Sequence, residues 1–107
     1  MALLDDKNFE QNIKTGVSIV KFHSLWNMDS RALETPFRQL ADEFRGRAKF
    51  IVSEINANPA LARNEEINKI PTIAIYVNGT AIAKLVNVTK RQLREQIEYF
   101  IRKAENL

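Results

Sequence analysis

The chain contains no cysteine. That absence excludes disulfides, zinc–thiolate and iron–sulfur ligation, and every reaction that needs a thiolate nucleophile. His23 is the only histidine, so a multi-histidine metal centre is excluded too, and no metal or cofactor is expected. Glycine and proline occur three times each, too few for a chain dominated by irregular loops. No apolar run approaches the roughly 20 residues that span a bilayer. Met1-Ala2-Leu3-Leu4-Asp5-Asp6 lacks the basic start and long apolar stretch of a signal peptide. The expectation is a soluble, cytoplasmic protein that makes no membrane contact. Neither sign of charge dominates, with 16 Lys+Arg against 13 Asp+Glu. Basic and acidic residues interleave, as in Arg91, Arg94, Glu95 and Glu98. Nucleic-acid binders concentrate basic charge on one face, so no nucleic-acid partner is expected.

What is present is ordinary globular material: 107 residues, 45% hydrophobic and 27% charged, enough for a single domain over 1–107 with its own core. Phe9 and Ile13 lie one helical turn apart and predict a short amphipathic helix that stops near Gly16. Val17 to Phe22 is a β-branched buried strand, and Lys49 to Ile55 is a second. Between them, Leu33, Phe37, Leu40, Ala41 and Phe44 form one face of a long helix from about Asp29 to Phe44. Pro36 lies inside it and predicts a kink there. Asn58-Pro59 opens a short helix, with Asn as N-cap and Pro at the first helical position. Thr72–Val77 and Thr80–Val86 flank Asn78-Gly79, a strong hairpin signal. Thr89 and Gln92 have capping-box spacing ahead of Leu93, Ile97, Phe100 and Ile101. Alternation followed by a hairpin predicts an α/β mixed sheet of four or five strands with helices on both faces.

That element order carries a set of landmarks: Phe22, then Trp26, Pro36, Asn58-Pro59, Ile70-Pro71-Thr72 and Asn78-Gly79. Together they resemble the thioredoxin family, over nearly the whole chain from about Asp6 to Ile101. The resemblance implies the thioredoxin fold. It also locates the family's active site, Trp-Cys-Gly-Pro-Cys-Lys, which reads here Trp26-Asn27-Met28-Asp29-Ser30-Arg31. Asn27 stands in the nucleophile's place and Ser30 in that of the resolving cysteine. Lys21 aligns with the family's buried acid. These are vestigial positions, since an amide and a hydroxyl cannot perform disulfide exchange. No catalytic residue is assigned. Cysteine replacements made for trapping would leave Lys21 and Met28-Asp29 unexplained, so the chain reads as a redox-inactive relative.

The replacements suit the start of a helix. Asn27 is a preferred N-cap, and Asp29 complements the helix dipole in the first turn. By resemblance, Ile70-Pro71 is a cis bond, and the backbone before Pro71 pairs with an extended segment of a partner. Trp26, Met28, Ile70, Pro71 and Asn87 are therefore the candidate binding residues, with Val86-Asn87-Val88 as the rim. Asn87 sits where the family has glycine, and Asn tolerates a left-handed backbone. Each of these has a plainer reading: Pro71 as a shaper of the fold, Trp26 as a packed cap on the second helix. Met28, just after an N-cap, is expected to be exposed.

Lys21 in the buried acid's place needs a partner or must snorkel to solvent, with Glu54 and Asp29 as candidate partners. His23 reads as a partly buried structural residue. The functional expectation is a protein- or peptide-binding adaptor or chaperone-like module without disulfide chemistry. Two alternatives stay open. One is non-redox binding of an anion or small molecule by Asn27 and Ser30 at the second-helix N-terminus. The other is a subunit of a larger assembly, or a homodimer built on the same apolar patch.

Overall fold

A computed structural model describes residues 3–106. The elements run β1 (Leu3–Leu4), α1 (Phe9–Ile13), β2 (Val17–His23), α2 (Met28–Ala32), α3 (Glu34–Glu43), β3 (Lys49–Glu54), α4 (Pro59–Asn64), β4 (Thr72–Val77), β5 (Thr80–Leu85) and α5 (Lys90–Glu105). They build a five-stranded sheet in the order β1-β3-β2-β4-β5. β3 is parallel to both β1 and β2, while β4 is antiparallel to β2 and to β5. The sheet is thus mixed, as the alternation followed by a hairpin requires.

Strand β2 shows why helices cover both faces. Its side chains alternate across the sheet. Val17 and Ile19 enter the larger core with Phe37, Leu40 and Phe44 of the α3 segment and Leu93, Ile97 and Ile101 of α5. Val20 and Phe22 enter the smaller one with Phe9 and Ile13 of α1 and Leu61 of α4. A strand buried on both sides reads as an unbroken apolar run, and here Lys21 is the charged interruption.

Several boundaries differ from the sequence reading, and β2 runs one residue further, to His23. The long helix is two helices, α2 and α3, broken at Leu33 rather than at Pro36. Pro36 has no N–H to offer the carbonyl of Ala32, and its ring crowds that same carbonyl. The break falls one turn upstream of the proline, where Leu33 N–H is left contacting both Asp29 O and Ser30 O. The strands β3 and β5 each stop one residue earlier, at Glu54 and Leu85. The two-residue β1 adds the fifth strand by pairing Leu3 and Leu4 with Phe50 and Ile51.

The hairpin and the last helix follow the sequence signals. Asn78 and Gly79 take φ of 48° and 86°, the left-handed pair that a tight hairpin turn requires. Asn78 also ties the hairpin to the turn before β2, because Gly16 N–H donates to its Oδ1 at 2.8 Å and its own N–H donates to Gly16 O at 2.9 Å. Ile82 is the extra residue of a bulge in edge strand β5, opposite Ile75/Tyr76. Thr89 and Gln92 form the reciprocal capping box of α5. No helix among the described residues is long and apolar enough to cross a membrane.

Candidate functional site at the start of the second helix

The loop that leaves β2 delivers Ser24 to Asn27 to the first turn of α2. Asn27 caps that helix, its Oδ1 accepting from Ser30 N–H at 2.8 Å. Ser30 is 1% exposed, and its hydroxyl oxygen accepts from Ser24 N–H at 3.2 Å. Ser24 Oγ in turn accepts from Trp26 N–H at 3.2 Å and from Asn56 Nδ2 at 3.1 Å. Asn56 Nδ2 also donates to Glu54 Oε1 at 3.1 Å. One hydrogen-bonded string therefore joins α2, the β2 loop and the end of β3, in the places where a reactive pair would stand. Among the described residues, no fully buried side-chain nitrogen or oxygen lacks a partner. The two vestigial positions are structural groups. Ser30→Ala removes the acceptor of a buried backbone N–H, and should cost about 1–2 kcal/mol in urea unfolding.

This geometry also bears on the anion-binding alternative. The Ser30 hydroxyl is out of reach of solvent, Asn27 is spent on the cap, and the carboxylate of Asp29 opposes an anion. The described residues contain no cluster of three or more acidic or histidine side chains that could hold a metal ion.

Lys21 is 2% exposed. Its neighbours across the sheet are Val52 on β3 and Ile73 on β4, both apolar. Its ammonium lies 5.3 Å from the ring centroid of Phe37. Neither Glu54 nor Asp29 pairs with it, a correction to the sequence reading: Glu54 serves Asn56, and Asp29 lies on the groove side of α2. Burial holds the Lys21 amine below the usual lysine range; Glu34 pulls it back up and Arg38 pushes it further down. His23, half-buried at the end of β2, is also held below its ordinary value, first by burial and then by Lys21.

The candidate binding residues divide into two groups. Pro71 and Asn87 line a groove of about 350 Å³ together with Asp29, Leu33, Pro36 and Ile73. The Ile70-Pro71 bond is cis, and Asn87 takes a φ of 55°. Trp26 and Met28 do not line that groove. They stand out beside it, 87% and 82% exposed. Trp26 is therefore not a packed cap. Met28 borders a second depression with Arg31, Glu34 and Thr35. Ile70, half-buried, lines neither. Leu25, 56% exposed, extends the apolar surface and was missed by the sequence reading, since an apolar residue after a buried strand carries no signal of exposure.

A mixed five-stranded sheet in this order, with a capped helix start beside a cis-proline loop, defines a thioredoxin-fold domain whose thiol pair is absent. The family model for thioredoxin matches residues 1–102, and the chain belongs to the thioredoxin family. Thioredoxin of Staphylococcus saprophyticus is 31% identical over 94 residues, which cover 87% of this chain and 90% of that protein. Thioredoxin of Staphylococcus haemolyticus is 28% identical over 87 residues, covering 81% and 84%. The structure of a thioredoxin variant from Halobacterium salinarum superposes with a TM-score of 0.82 at 19% identity, covering 92% of this chain and 88% of that one. The relatives are named as thioredoxins. This chain has no cysteine, and so no thiol for disulfide exchange.

Proposed function

We propose that the chain is a cytoplasmic protein- or peptide-binding module, adaptor or chaperone-like in kind, that works without redox chemistry. The observation that carries this reading is the exposed run Leu25-Trp26 and Met28 beside the Pro71–Asn87 groove. Large apolar side chains held this far into water are costly surface, and grouped together they mark a contact site. Trp26 presents a rigid aromatic face and Met28 an adaptable one, a combination suited to varied apolar segments.

Trp26 is the only tryptophan, so it reports on its own site. Titration with an unfolded polypeptide whose cysteines are blocked should shift its emission to the blue, saturably and equally with or without reductant. Ile70→Lys should weaken that binding by about tenfold, roughly 1.4 kcal/mol, while the far-ultraviolet circular dichroism is unchanged. A silent Trp26 emission across the titration sinks the reading. A collapsed spectrum for Ile70→Lys would place Ile70 in the core and remove it from the site. Light scattering at two concentrations distinguishes a second copy of the chain as the occupant.

A further inference from the structure

Lys21 is the only charged side chain buried among the described residues, and nothing in the binding site employs it. Its stem is enclosed by apolar neighbours on three elements: Val52 of β3, Ile73 of β4 and the Phe37 ring of α3. Among the described residues, no acid lies within ion-pairing distance of it. Glu34, which acts on it from α3, is itself paired with Arg38 at 3.5 Å. Among the described residues no fully buried side-chain nitrogen lacks a hydrogen-bond partner, and none is found for Lys21 Nζ, so the amine tip keeps some contact with solvent. Other lysines are served differently. Lys49 and Lys84 donate to the carbonyls of Thr15 and Glu65, each at 2.7 Å, and Lys90 donates to Gln39.

We propose that Lys21 is a selectively nucleophilic amine, a modification site for small uncharged carbonyl electrophiles. An ammonium with no carboxylate beside it and little water around it loses its proton more readily than an exposed lysine does, and the free amine carries the lone pair that attacks. Isocyanic acid is a probe of suitable size. The lone pair of Nζ bonds to its carbon, the C=N π pair shifts to nitrogen, and a proton passes from Nζ to that nitrogen. A substituted urea results. Nothing is oxidised and no group leaves.

The charged and titratable groups facing Lys21 are His23 on its own strand and Glu34 and Arg38 on α3. β3 presents Val52 beside it with Glu54 one step further along, and β4 presents Ile73. Burial keeps the Lys21 proton weakly held, Arg38 adds to this and Glu34 opposes it.

The test treats the folded protein with limiting potassium cyanate at several pH values and maps the carbamoylated lysines by mass spectrometry. Lys21 should react at least tenfold faster than the mean of the other lysines at pH 7, with a rate–pH midpoint below theirs. Glu34→Gln should raise its rate and Arg38→Gln should lower it. In urea-unfolded protein its advantage should vanish. Bulky trinitrobenzenesulfonate should spare Lys21 in the folded protein. Carbamoylation of Lys21 at or below the mean lysine rate would overturn the proposal, as would an advantage that persists after unfolding.

Discussion

Lys21→Met is expected to stabilise the protein by about 2 kcal/mol at neutral pH, moving the thermal midpoint up by roughly 10 °C. Withdrawing an ammonium from water costs several kcal/mol, and it is repaid only by good partners. Among the described residues no carboxylate pairs with Lys21, and the Phe37 ring at 5.3 Å offers an interaction worth about 1–2 kcal/mol when desolvated. Methionine keeps the length of the stem and offers the same ring a sulfur contact worth up to roughly 1.5 kcal/mol. The desolvation cost disappears while most of the packing stays.

The pH dependence gives that prediction a second, independent reading. The unfolded chain holds the Lys21 proton up to its ordinary value of 10.5, and the folded chain releases it earlier. Between those two values the unfolded state binds more protons, so wild-type stability rises with pH. The advantage of the methionine variant must therefore be greatest below the folded value and shrink as pH approaches 10.5. Urea midpoints of the two proteins across that window, at an unchanged m-value, provide the check. An advantage that is absent at pH 7, or constant across the window, would mean that water at the amine tip already satisfies the charge.

Much of this could be read from local chemistry in the sequence. The Asn78-Gly79 turn, the Thr89–Gln92 box and the Asn27 and Asn58 caps each need only a few adjacent residues, and each is present. Asn87 in the left-handed region belongs with them, since the demand on φ is local. Features that depend on distant partners were less legible. Leu3–Leu4 is a strand only because Phe50 and Ile51 lie beside it, and two residues carry no periodicity of their own. The partner of Lys21 depended on which residues the register of β2 brings opposite, and that register supplies Val52 and Ile73. The string from Ser30 through Ser24 to Asn56 joins residues up to 32 positions apart. No spacing rule exposes it. Trp26 went the other way: an aromatic beside a helix is usually packed, and only the fold reveals that no element passes over it.

The same string defines what was lost with the cysteines and how it could be put back. Asn27→Cys together with Ser30→Cys should yield a chain that forms an intramolecular disulfide and gains disulfide-exchange turnover from nothing. An N-cap and the third residue of its helix lie on neighbouring positions of one turn, about 5–6 Å apart, inside the range a disulfide spans. The Oδ1 of Asn27 already reaches the Ser30 N–H at 2.8 Å, so the two side chains share one edge of the helix. The free N–H groups there favour a thiolate, and a cation at Lys21, the position that aligns with the family's buried acid, would favour it further. The cost is the cap and the Ser24 N–H bond, together about 2–3 kcal/mol of stability. Combining the pair with Lys21→Met tests the cationic contribution separately: the thiol–pH curve should move up. Loss of two thiols by Ellman titration, a mass lower by about 2 Da and reduction of a small disulfide substrate would show that the fold still holds the geometry of its family's reaction. A disulfide that forms without turnover would mean that the groove around Pro71 no longer seats a substrate in line with the helix. Two thiols that never join would mean that the Asn27 cap and the Ser24–Ser30 bond had re-aimed the helix start, leaving binding as the one inherited task.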